Sequence, residues 1–141
     1  SNDNQDLHIY RLSKDYLSID CLVQKLFIGL YREAPALMKK DEIYYLLTSY
    51  CTGWLPNQCQ YATAKSIEGT WSELQNIGNY NTYHSQPAFI FEHNGFLYYL
   101  GDCWGGVNWE KIEEFDYTKS CYLCMGFVFE NHQLFFDKDK E

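Results

Sequence analysis

The feature that most constrains this chain is an internal repeat. Arg32-Glu33-Ala34-Pro35-Ala36-Leu37-Met38 is followed, after a short polar break, by Ile43-Tyr44-Tyr45-Leu46-Leu47-Thr48-Ser49. Ser85-Gln86-Pro87-Ala88-Phe89-Ile90-Phe91 is followed, after His93-Asn94-Gly95, by Phe96-Leu97-Tyr98-Tyr99-Leu100-Gly101-Asp102. Each unit has a polar start, an apolar strand, a tight turn and an aromatic strand, which is the pattern of a β-hairpin. The spacing of about fifty residues is that of propeller blades. Gln60-Tyr61-Ala62-Thr63-Ala64 alternates as a third strand should. Ser66-Ile67-Glu68-Gly69-Thr70-Trp71 then turns the chain toward an outer strand, so residues 32 to about 77 read as one four-stranded blade.

The second unit is interrupted before its third strand by Asn108-Trp109-Glu110-Lys111-Ile112-Glu113-Glu114-Phe115, where Asn108 is placed to cap a short helix with acids in its first turns. Strands are expected again from Tyr122 to Phe129 and, after Glu130-Asn131-His132, from Gln133 to Phe136. Leu7 to Leu12 and Tyr16 to Ile19 read as the tail of an earlier blade, and Asp137 to Glu141 as a frayed charged end. The expectation is an all-β chain of about two and a half blades of four-stranded antiparallel sheet. Residues 1–25 form the tail, 26–80 one blade and 81–141 the last, in one partial β-propeller domain.

Composition narrows the partner. Aromatic residues make up 18% of the chain, which suits strands and also suits stacking on sugar rings. A formal net charge of −8 with no run of Lys or Arg argues against nucleic acid. No apolar stretch nears the roughly 20 residues a membrane helix needs, and no signal peptide is visible after Ser1-Asn2. The six cysteines permit disulfides without showing them. Cys121 and Cys124 have metal-like spacing but no second pair, and residues three apart on a strand point to opposite faces, so no zinc site and no cofactor is expected.

The chemistry-bearing residues sit at the strand starts. Glu33 opens one inner strand, followed by small residues that let the strand crowd close to an axis. Tyr31-Arg32-Glu33-Ala34-Pro35-Ala36 resembles the segment carrying the general acid of glycoside hydrolase family 43. Tyr44-Tyr45-Leu46-Leu47-Thr48-Ser49-Tyr50-Cys51-Thr52-Gly53-Trp54-Leu55-Pro56-Asn57 is similar to the second strand and following loop of that family's exo-β-1,3-galactanase branch. The segments Tyr61 to Trp71, His84-Ser85-Gln86, Gly101-Asp102-Cys103-Trp104 and Ser120 to Cys124 fall in order where later motifs of that branch belong.

The resemblance implies a portion of a five-bladed propeller and inverting hydrolysis of galactan-type glycans. Such chemistry needs a protonated acid and a water placed between two groups about 6.5–9.5 Å apart. It assigns Glu33 as the acid and Gln86 as the group that orients or activates the water. It assigns Arg32, Thr52, Gly53, Trp54, Asn57, Asp102 and Trp104 to a galactose-type carbohydrate, and a secreted or periplasmic location. The departures are Cys103 and Cys121 where the pattern has Arg, Cys124 where it has Trp, and Gly126 where it has Pro. The early blades, with the Asp that tunes the acid, have no counterpart. The expectation is therefore a family 43-like domain that is incomplete and inactive alone, or else a non-catalytic carbohydrate-binding or assembly module derived from such an enzyme. Exposed blade faces are expected to self-associate or to meet a partner chain.

Overall fold

A computed structural model describes residues 3–140. Among them the only helical structure is four short 3₁₀ turns, and ten strands form three antiparallel sheets. The first sheet pairs β1 (Leu7–Leu12) with β2 (Ile19–Leu26). The second runs in the order β3 (Arg32–Lys40), β4 (Ile43–Tyr50), β5 (Gln60–Ala64) and β6 (Gln75–Asn76). The third runs in the order β7 (Gln86–His93), β8 (Phe96–Cys103), β9 (Cys121–Glu130) and β10 (Gln133–Phe136).

The repeat in the sequence is a repeat in the backbone. β3 bulges between Glu33 and Ala36, and β7 bulges at the equivalent place, between Pro87 and Phe89. Proline has no N–H to give a ladder; Pro35 falls inside the interruption of β3 and Pro87 at the edge of that in β7. The three tightest hairpins close on two residues of positive φ: Asp41 and Glu42 (48° and 65°), Asn94 and Gly95 (51° and 81°), Asn131 and His132 (50° and 64°). Turns of this hand match the twist of the flanking strands, and Asp, Asn and Gly tolerate them best.

The burial of each strand follows from what lies on its two sides. β4 reads as a nearly continuous apolar run because both of its faces are covered. Leu46 packs with Leu7 and Leu26 of the first sheet, while Tyr45 and Leu47 join Tyr61 of β5 and meet Tyr99, Met125, Leu134 and Phe136 of the third. In β8 only alternate residues, Tyr99, Gly101 and Cys103, are buried, as expected of a strand covered on one side. The Tyr61 hydroxyl donates to Gln75 Oε1 at 3.1 Å and accepts from Leu134 N–H at 3.0 Å, which ties the second sheet to the third.

Three expectations need correction. The second strand of the first sheet is Ile19–Leu26, not Tyr16 to Ile19; Tyr16 has a φ of 62° and lies in the turn, hydrogen bonded to Ser13 O. Asn108 caps no helix. The turns in that segment are Ile112–Glu114 and Tyr117–Lys119, and the side-chain cap is Asp116, which accepts from Thr118 N–H. The outer strand expected after Trp71 is present and two residues long, and Ser72 ahead of it folds back on Thr63 through two hydrogen bonds. The tail is a 3₁₀ turn, Asp137–Lys140, in which Asp139 accepts from Tyr83 O–H at 2.5 Å and Phe136 N–H at 3.0 Å; Glu141 lies outside the described residues.

The tightest approach in the core is at Gly101. A Cβ there would lie 2.5 Å and 2.6 Å from atoms of the fully buried Tyr99 ring and 2.8 Å from Ser85 Cβ. We expect Gly101→Ala to lower stability by roughly 1–3 kcal/mol in urea unfolding, the usual cost of overpacking. An unchanged midpoint would mean the Tyr99 ring moves freely.

Candidate active site

The second and third sheets meet so that the starts of β3 and β7 are neighbours, and this brings Glu33 and Gln86 into contact. Gln86 Nε2 donates to Glu33 Oε1 at 3.0 Å and to Ser49 Oγ at 3.0 Å, and Gln86 Oε1 accepts from Trp104 Nε1 at 3.0 Å. The amide orientation is fixed by Trp104, since an indole N–H can only donate. Glu33 Oε2 accepts from the Cys51 thiol at 3.2 Å. Burial first, and the bond to Glu33 second, push the Cys51 thiol up to about 11, so it stays a donor.

The segment that delivers Gln86 is strained. Thr82, Tyr83 and His84 are three consecutive non-glycine residues of positive φ (52°, 54° and 64°). Thr82 holds the segment by accepting from Cys59 N–H at 2.6 Å and donating to Asn57 O at 2.8 Å. Ser85 donates to Thr82 O at 2.6 Å and shares a 2.9 Å hydrogen bond with Tyr99. Backbone strain of this kind persists only where packing over-determines it.

Asn57 staples the loop after β4. It accepts from Tyr50 N–H at 2.9 Å, and donates to Tyr50 O and Thr52 Oγ1, both at 2.7 Å. Thr52 donates in turn to Leu55 O. Gly53, at φ 63°, reverses the chain and presents Trp54. The indole of Trp54 then stacks on Phe115 at 5.3 Å and meets Trp104 and Tyr117 edge-on at 5.6 Å and 4.9 Å. The walls formed by Phe115 and Tyr117 were not assigned from sequence. Their only sequence signal is a dense aromatic content in an insertion that reads as a helix.

Ser49, Gly53, Trp54, Asn57, Ser85, Gln86, Asp102 and Trp104 enclose a cavity of about 20 Å³. That is room for one water, far short of the ~300–1,000 Å³ of a typical ligand pocket. Gln86, Trp54, Gly53, Asn57, Asp102 and Trp104 are thus brought together. Thr52 lies behind them as a brace. Arg32 is buried and does not line this cavity: it donates through Nε to Thr48 Oγ1 at 3.0 Å and through a terminal nitrogen to Thr48 O at 2.7 Å. Among the described residues no group of three or more His, Cys, Asp or Glu is placed to hold a metal ion.

Asp102 lies opposite Gln86 in the β7–β8 register, and burial holds its carboxyl above the usual range. A carboxyl that favours its proton more when folded makes the protein lose stability as pH rises from the ordinary Asp range, near pH 4, through the folded value. We expect Asp102→Asn to melt higher than the wild type at pH 7, with the gap closing as pH falls to about 3.5. A constant gap across that range would show that Asp102 does not titrate as placed.

No family model matches the chain. An exo-β-1,3-galactanase from Clostridium thermocellum is 42% identical and superposes with a TM-score of 0.83 over 96% of this chain and 29% of that one. The Phanerochaete chrysosporium exo-β-1,3-galactanase in complex with β-1,3-galactotriose is 28% identical, with a TM-score of 0.82 over 96% and 30% of the two chains. A family 43 β-1,3-galactosidase with galactodeoxynojirimycin is 30% identical, with a TM-score of 0.81 over 96% and 39%. A xylan 1,3-β-xylosidase from a Vibrio species is 39% identical over 83 residues, 55% of this chain and 15% of that protein. The chain therefore spans between 15% and 39% of the length of these relatives.

Proposed function

We propose, from the chain's kinship with the exo-β-1,3-galactanase branch of glycoside hydrolase family 43, that it carries the acid side of a galactose-recognising site and that these 141 residues alone turn over no glycoside. The supporting observation is the direct contact of Glu33 with Gln86, which itself lines a cavity that admits one water. Inversion needs a protonated acid against the leaving oxygen and a water held on the far side of the sugar ring. In the arrangement described, both Glu33 oxygens accept hydrogen bonds, so neither is presented as a donor. Both N–H groups of Gln86 are engaged and its oxygen keeps one lone pair, enough to orient a water but too weak a base to take its proton.

Glu33 is the proposed acid, Gln86 and Ser49 its positioners, and Trp54 the face on which a galactose ring stacks. Arg32, Thr52, Gly53 and Asn57 act by holding that frame, and Asp102 with Trp104 closes the site beside Gln86. The ligand is proposed to be a β-1,3-linked galactose oligosaccharide, because relatives have been solved with β-1,3-galactotriose and with galactose.

The chain is further proposed to complete a partial five-bladed propeller by packing against another copy or another chain. Leu17, Ile19, Ile28 and Leu30, in or next to the first sheet, are exposed at 86%, 60%, 69% and 50%, and among the described residues β1 pairs only with β2. Apolar surface of this extent with an unpaired strand edge favours association.

Two measurements test these readings. In calorimetric titration with β-1,3-galactotriose, we expect weak binding by the wild type and roughly tenfold weaker binding by Trp54→Ala, a loss of about 1.4 kcal/mol of ring stacking. Galactose release by the wild type that disappears in Glu33→Gln would overturn the proposal of inactivity. In light scattering we expect an associated species burying more than roughly 1,000 Å², and a monodisperse monomer at high concentration would count against it.

A further inference from the structure

We propose that Cys103 and Cys121 are a dithiol modification site, in which a disulfide forms across β8 and β9 and clamps the base of the aromatic insertion 104–120. The two residues are direct register partners at the end of the β8–β9 ladder. Directly opposed strand residues have Cα atoms about 4.5–5.5 Å apart, inside the 4.4–6.8 Å range that a disulfide spans. The thiols are free, one buried and one exposed.

The surroundings already hold the two strand ends in place. Gly105 N–H donates to Ser120 Oγ at 3.0 Å, and Gly106 N–H donates to Cys103 O at 3.0 Å. Closing the bond therefore needs no change of register. Wrong pairings are disfavoured by the same ladder. Cys124 lies opposite Leu100, on the other face of β9 from Cys121, and the remaining cysteines, Cys21, Cys51 and Cys59, lie in or beside the first two sheets.

Burial, with a lesser part from its neighbour Cys121, pushes the Cys103 thiol up to about 12. The exposed Cys121 is therefore the thiol that reacts first. Its thiolate attacks a small-molecule disulfide such as oxidised glutathione, forming a mixed disulfide and releasing one thiolate. Cys103 then gives up its proton and attacks Cys121 Sγ, expelling the second thiolate. Two protein thiols are oxidised and one external disulfide is reduced to two thiols, so atoms and electrons balance.

The bond would tie down the segment that supplies Phe115 and Tyr117 to the Trp54 wall. This inference does not rest on the carbohydrate reading, and its test uses no sugar. The reduced 141-residue chain is incubated with oxidised glutathione under native conditions, the remaining thiols are alkylated, and peptides are mapped by mass spectrometry. We expect the intact protein to lose two hydrogens, a cross-linked peptide joining Cys103 to Cys121, and a melting temperature raised by roughly 5 °C. Cys121→Ser, a change at an exposed position, is expected to show none of the three. Cys103→Ser is expected to stop at the glutathione adduct of Cys121. A wild type that also stops at that adduct, a link through any other cysteine, or a link without a rise in melting temperature would overturn the proposal.

Discussion

Everything at the site depends on the apolar seam between the second and third sheets. Tyr61, Tyr99, Leu134 and Phe136 are almost wholly buried there, and full burial of side chains of this size stabilises by about 1.5–3 kcal/mol each. The seam is directional as well as greasy, because the Tyr61 hydroxyl is hydrogen bonded on both sides. Sliding one sheet along the other would leave the buried Leu134 N–H without its partner, at a cost of about 1–3 kcal/mol even where apolar contact could be kept. With that offset fixed, the starts of β3 and β7 have one relative position, and Glu33 meets Gln86.

The loops add what the sheets cannot. The turn after β4 and the insertion after β8 belong to different sheets, yet Trp54, Trp104, Phe115 and Tyr117 form one aromatic group. Trp104 does two things at once: its ring packs on Trp54 while its N–H sets the amide orientation of Gln86. Rearranging the aromatic wall would thus free the Gln86 oxygen, and a shift of Trp54 has a direct route to Glu33. That coupling runs through one ring contact and two hydrogen bonds.

Much of this was legible in the sequence because strands write their environment directly. The two hairpins and the Gln60–Ala64 strand follow from alternation and turn residues, since a side chain on a strand has only two directions to face. The pairing of Glu33 with Gln86 at neighbouring strand starts follows from their equivalent places in the repeat. What was not legible depends on contacts distant in sequence. The first-sheet strand at Ile19–Leu26 has a mixed pattern, with Gln24 turned toward the carbonyl oxygens of Ile67 and Gly69. The Asp137–Lys140 turn is ordered by Tyr83, more than fifty positions away. Residues 108–115 carry helical charge placement, but Trp109 and Phe115 pack against each other and hold the backbone in short turns instead. The burial of Arg32 could not be read at all, because its partner Thr48 is reached only once β3 pairs with β4.

The repeat also explains why a nearly symmetric backbone makes an asymmetric site. Equivalent positions pair Arg32 with Ser85, Glu33 with Gln86, Thr48 with Gly101 and Ser49 with Asp102. In the second sheet the first position carries a buried cation, braced by Thr48. In the third it carries a small hydroxyl, and Tyr99 fills the space above Gly101 to reach it. One unit thus places its carboxylate at the inner strand start and a hydroxyl beside it, while the other places an amide at the start and its carboxylate beside it. The amide bridges the Glu33 carboxylate and the Ser49 hydroxyl. Two carboxylates at equivalent strand starts would stand against each other at a distance where both cannot stay ionised at little cost. An amide at one of them removes that repulsion and adds a donor, so the same backbone device can be used twice around one small site.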